Sequence, residues 1–179
     1  MLGVNPQNEN HFKQMGNAAA PVTLEIYLDY GDEDSAAFVR DVLPPLTEQY
    51  VETGKVKLLF RDYPLTSHPR SSLAARYANA AGELGYFEPA MRQLYATQLA
   101  WNASGDIDSA LSNVLPAGVM ENLRSLVLHP DSVIGLDLEA ARTDHVDYVP
   151  FAVIVSEGRR GPVSGAPLSL DSLKSHLGR

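Results

Sequence analysis

Residues 26–38, IYLDYGDEDSAAF, pass from one periodicity to another within a single short stretch. Ile26 belongs to the run VTLEIYL, in which Val22, Leu24 and Ile26 alternate with Thr23 and Glu25, the period of a strand. Asp29-Tyr30-Gly31 ends that run, and the acids Asp32, Glu33 and Asp34 follow. From Ser35 the apolar residues Phe38, Val42, Leu46 and Tyr50 recur at helical spacing until Gly54. Pro44-Pro45 falls inside this helix and predicts a kink rather than a break, because the apolar stripe continues beyond it. KVKLLFRDY (55–63) then reads as a second strand. A strand–helix–strand unit with a crossover this long implies parallel pairing.

The rest of the chain is placed around that unit. Residues 70–101, 106–115, 118–127 and 131–146 are Ala- and Leu-rich and helical, separated by Gly, Pro or Asn breaks. Pro150 introduces FAVIVSEGRRGPVSG, a β-rich run that turns at Glu157-Gly158-Arg159-Arg160 and returns as an antiparallel hairpin. A helix over 168–177 closes the chain. Residues 1–20 are polar and Asn-rich and are expected to be a flexible N-terminal arm. The order predicts an α/β fold in one domain over 21–179: a central mixed sheet flanked by helices, with an all-helical insertion at 69–146.

The composition removes whole classes of function. At 179 residues and 45% hydrophobic content, the chain can form one well-packed domain. A net charge of -8, with no basic patch beyond Arg159-Arg160, argues against nucleic-acid and anionic-membrane partners. There are no cysteines, hence no disulfides, thiolate nucleophiles, Cys-bound zinc or iron–sulfur clusters. No apolar run approaches the roughly 20 residues of a membrane-spanning helix. The first residues contain neither a basic n-region nor an apolar h-region, so a cytoplasmic location is expected, with an extracytoplasmic one as the alternative.

The acids 32–34 admit several readings. The first is a solvated helix start favoured by the helix dipole, with Asp34 or Ser35 capping the first turn. A calcium loop counted from Asp32 would need Gly and Glu at positions occupied by Ala37 and Leu43, so no metal site is expected. A glycosidase carboxylate pair would need an aromatic-rich cleft, and the chain has one Trp, Trp101. His68 and His145 lie near expected sheet ends, and each could act as a base on Ser35. No Gly-x-Ser-x-Gly elbow accompanies that serine, however, and His68 reads better as packing at a helix start.

Taken together, GNAAAPVTLEIYLDY (16–30), LPPL (43–46), GKVKLLFRDYPL (54–65), HPRSSLAARYANAAGELGYF (68–87) and HVDYVPFAVIVSEG (145–158) resemble the DsbA-like family of disulfide oxidoreductases. The resemblance covers Gly16 to Leu177 and implies a thioredoxin fold with a helical insertion. Carried over residue by residue, the family's Cys-x-x-Cys falls on Asp32-Glu33-Asp34-Ser35, and its cis-proline on Pro150, preceded by Val149. The chain departs from the pattern at both sulfur positions, so the dithiol mechanism is excluded, because disulfide exchange needs a sulfur nucleophile.

The resemblance therefore implies a redox-inactive relative without cofactor. Its expected binding residues are Asp32, Glu33, Val149 and Pro150, forming a groove for an extended peptide, a partner protein or a small ligand. A glutathione-dependent transferase or isomerase of the kappa type is the enzymatic alternative, weakened because Asp32 rather than serine holds the exposed position.

Overall fold

The computed structural model describes residues 11–163 and 167–177. Strands β1 (Gln14–Met15), β2 (Val22–Leu28), β3 (Val56–Asp62), β4 (Phe151–Ser156) and β5 (Arg159–Pro162) form one sheet in the order β1-β3-β2-β4-β5. β2 and β3 are parallel, from Val22 opposite Val56 to Leu28 opposite Asp62, as the crossover requires. β4 lies antiparallel on the other side of β2, with Phe151 opposite Tyr27. The β4–β5 hairpin turns at Glu157 and Gly158, both at positive φ (51° and 75°).

Alternation along β2 separates two cores. Leu24, Ile26 and Leu28 join Leu58, Phe60 and Ala152 beneath Phe38, Leu43 and Leu46. On the opposite face Tyr27 packs with Phe151, Val153 and Ala141. Glu25, which the strand pattern placed on a polar face, is only 3% exposed. It is matched by Arg61 at 2.9 Å and Arg160 at 2.6 Å, which satisfy a charge that would otherwise be costly to bury.

The crossover helix begins at Glu33, two residues before the expected Ser35. Helices α1 (Glu33–Ala37) and α2 (Leu43–Leu46) are joined by a wider, π-helical turn at Phe38–Val42, and a second one at Thr47–Val51 follows α2. The N–H of Leu43 reaches the carbonyl of Phe38, and that of Glu52 reaches Thr47, five residues back in each case. Pro44 and Pro45 donate nothing to the preceding turn, and the helix accommodates them by widening on either side.

The insertion consists of α3 (Ser71–Glu83), α4 (Phe87–Ala96), α5 (Gln98–Ser104), α6 (Ile107–Ser112), α7 (Ala117–Leu126) and α8 (Val133–Thr143), and α9 (Leu170–Leu177) closes the fold. Residues 70–101, expected as one helix, are three, because Gly85 (φ 85°) and Thr97 interrupt the run. Met91, Leu94, Trp101, Leu111 and Leu123 are almost fully buried and fuse the insertion to the large core.

The flexible arm expected over 1–20 is corrected for 11–20; residues 1–10 lie outside the described set. His11–Lys13 form a 3-10 turn, and β1 pairs with β3. Lys13 is fully buried, with its Nζ 2.6 Å from both Asp62 and Asp137. Composition misled here because a polar sequence reads as solvated, whereas this lysine neutralises carboxylates under the fold. Phe12 rests on Gly82, where a Cβ would collide with its ring.

Candidate functional site

One end of the sheet gathers the chemistry. The register puts Leu28 opposite Asp62 and Tyr27 opposite Phe151. The segment after β2 (29–32), the loop after β3 (63–70) and the residues before β4 (145–150) therefore leave the sheet at the same end.

Asp29 organises this end. Its carboxylate is buried and accepts the N–H of Gly31 at 2.8 Å and of Leu65 at 3.0 Å. Nδ1 of His68 lies 2.6 Å from Asp29 Oδ2, and the imidazole is 27% exposed. Because a carboxylate accepts, Nδ1 is the donor and Nε2 is turned away from Asp29. Gly31 fits between these groups: a Cβ there would overlap Ser71 Oγ and come within 2.8 Å of His68 Cβ. Ser71 Oγ also accepts the Gly31 N–H at 3.0 Å.

Asp32 is the N-cap of α1, with extended backbone (φ -90°, ψ 131°), and its Oδ2 accepts the Ser35 N–H at 2.6 Å. The cap was expected from Asp34 or Ser35. Asp32 takes the role because the helix starts at Glu33. Ser35 is fully buried, and its Oγ accepts the Asp29 N–H at 3.2 Å. Glu33 and Asp34 are exposed, and no ion pair among the described residues reaches either. Gln98 Nε2 donates to the carbonyls of Tyr30 (2.7 Å) and Asp32 (2.8 Å), tying α5 to the turn.

The Val149–Pro150 bond is cis. The Val149 side chain is buried in a cluster with Tyr27, Val146 and Phe151. Tyr148, just before it, is 38% exposed and rests edge-on against Phe151, with centroids 5.3 Å apart. Asp32, Glu33 and the Val149–Pro150 segment thus share one end of the sheet, and among the described residues no hydrogen bond links the two sides.

Beneath the site lies a buried ionic layer. Burial pushes the Asp62 carboxyl up to about 6, against the opposing effect of Lys13. Asp144 moves the other way: burial would raise it, but hydrogen bonds from Arg160 and from Tyr27 (2.5 Å) hold it below the ordinary carboxylate range. Burial also raises the phenols of Tyr30 and Tyr95, whose rings stack at 4.8 Å. Among the described residues no three His, Cys, Asp or Glu side chains converge as a metal site. His145 is exposed, at φ 55°, and is not part of the Asp29–His68 arrangement. The Asp29–His68 bond and the Gln98 clamp had no local signal in the sequence, since each joins elements distant along the chain; Tyr148 adjoins the expected Val149-Pro150, but its exposure depends on how the loop packs.

Among the described residues no helix is long and apolar enough to cross a membrane. No curated protein matches the sequence significantly. Solved structures match it over most of its length. A thioredoxin-like oxidoreductase from Silicibacter pomeroyi DSS-3 has a TM-score of 0.75 at 21% identity, over 93% of this chain and 90% of that one. BdbD from Bacillus subtilis has a TM-score of 0.73 at 19% identity, over 93% and 90%. DsbA2 from Pseudomonas aeruginosa has a TM-score of 0.69 at 23% identity, over 92% and 93%. At such identities the likeness is one of fold, a DsbA-like thioredoxin fold. A family model for thioredoxin matches residues 8–169, nearly the whole length, and the chain belongs to the thioredoxin family.

Proposed function

We propose that this protein is a redox-inactive member of its family that binds an extended peptide segment, its own or a partner's, at the end of the sheet carrying Asp32, Glu33 and the Val149–Pro150 main chain. One observation carries the reading: a helix-capping carboxylate and a buried hydroxyl stand at the two sulfur positions implied by the DsbA-like resemblance, in a chain with no cysteine. Thiol–disulfide exchange has no nucleophile there. What remains is a scaffold whose main chain can pair with an added strand. The exposed carboxylates of Glu33 and Asp34 favour a basic or neutral segment over an acidic one. Ser35, the one hydroxyl at these two positions, is fully buried, which speaks against a serine-dependent glutathione enzyme.

The test is a peptide-array measurement on the full chain and its Asp32→Ala variant. Binding of basic or neutral extended peptides that weakens in the variant supports the proposal; no binding to any peptide overturns it. Glutathione is the control ligand. A thermal shift that grows with glutathione concentration would favour the enzymatic alternative instead.

A further inference from the structure

A groove that Glu33 borders runs between α1–α2 and α4–α5. Its first part is a cavity of about 720 Å³ that Glu33, Asp34 and Leu99 line together. It continues into a second cavity of about 390 Å³, walled by Ala36, Val39, Pro44 and Tyr95. Both volumes lie in the range of ligand sites, roughly 300–1,000 Å³.

Three observations say what would fill it. First, its charge is uneven. Arg40 is held by Asp41 through two hydrogen bonds (2.9 and 2.6 Å), and Arg92 by Glu88 at 2.8 Å, whereas the acids at the mouth have no ion-pair partner among the described residues. The uncompensated charge is therefore negative and sits at one end. Second, Leu99 at that same end is 77% exposed, a large apolar side chain next to two carboxylates. Third, the groove adjoins the α1 N-terminus, because Glu33 and Gln98 both line it and Gln98 bonds the Asp32 carbonyl. The helical face from Glu33 to Pro44 is about 16 Å long, at 1.5 Å per residue. An extended chain covers that length with about five residues at roughly 3.3 Å each.

We propose that this groove is the specificity pocket of the binding activity. It takes an extended segment with a lysine or arginine at the Glu33–Asp34 end, beside Leu99, and an aliphatic residue at the Val39–Pro44 end. The assignment rests on the peptide-binding reading above and adds where selection occurs.

The experiment is fluorescence anisotropy on the full chain with three labelled nonapeptides: one with lysine at its second position and leucine at its sixth, one with glutamate replacing that lysine, and one with serine replacing that leucine. The first should bind at least tenfold more tightly than either of the others. Ala96→Arg, an exposed helical position facing the groove, and the double change Glu33→Lys, Asp34→Lys should each weaken the first peptide at least tenfold. Circular dichroism melts unchanged from wild type separate these losses from unfolding. Tyr148→Ser, on the cis-proline side, reports on the broader reading. If the peptide binds and responds to Tyr148→Ser but ignores Ala96→Arg and the charge reversal, the groove assignment is overturned and the peptide-binding reading stands. If none of the three peptides binds, both fall.

Discussion

Asp32 shows how a position can keep its geometry while changing its chemistry. As N-cap it satisfies an N–H that would otherwise be left without a partner. Asp32→Ala should cost about 1 kcal/mol of stability, within a range of roughly 0.5–2, while Asp32→Asn, which can still accept, should cost a few tenths. Urea unfolding of the two variants checks this; equal losses would mean that the cap is not what the carboxylate provides. Asp62 and Asp144 give opposite pH signatures. The folded carboxyl of Asp62 lies near 6, above its ordinary 3.8, so its contribution is fully present below 3.8 and is lost as pH rises through about 6. Asp144 is depressed, so its contribution is present above 3.8 and is lost as pH falls through its lower folded value. Unfolding midpoints of wild type and Asp62→Asn, compared from neutral pH down to about 4, should converge in acid. A constant offset would contradict the assignment. The capping role was within reach of the sequence, since an acid before an apolar helix is a known signal. The Asp29–His68 pairing was not, because its partners are separated by the crossover helix, β3 and a loop.

At the scale of elements, the N-terminal segment is the clearest departure from expectation. Lys13 links the end of β3 to α8 through two carboxylates, and Asn79 on α3 joins the same layer by donating to Asp62 at 2.9 Å. Removing one partner from a buried ionic cluster typically costs about 3–5 kcal/mol, because the charges left behind stay buried. Lys13→Met should therefore be strongly destabilising, and Asp62→Asn in the same chain should restore part of the loss. A double-mutant cycle on unfolding free energies measures this coupling, and strict additivity would contradict it. The strands and the crossover were legible because periods of two and 3.6 survive in the sequence. The wide turns around Pro44-Pro45 were not, since the residues specify an obstacle and the backbone's answer depends on packing beneath it.

The whole molecule is a family scaffold without the family's sulfur. The topology could be inferred because turn residues, crossover length and hairpin all agreed, and the structure adds a fifth strand, β1, too short to carry a periodic signal. The groove along α1 was hidden for another reason: it is made by α4 and α5 of the insertion packing beside a helix far from them along the chain. What these two positions lack is sulfur. Asp32→Cys combined with Ser35→Cys should give a dithiol that mild oxidant bridges without unfolding the chain. The most direct measurement is dithiothreitol-driven insulin reduction by the wild type and this double variant side by side. Background turnover is expected from the wild type and clear turnover from the variant. Turnover by the wild type, or a folded variant that neither bridges nor reduces insulin, would contradict this expectation.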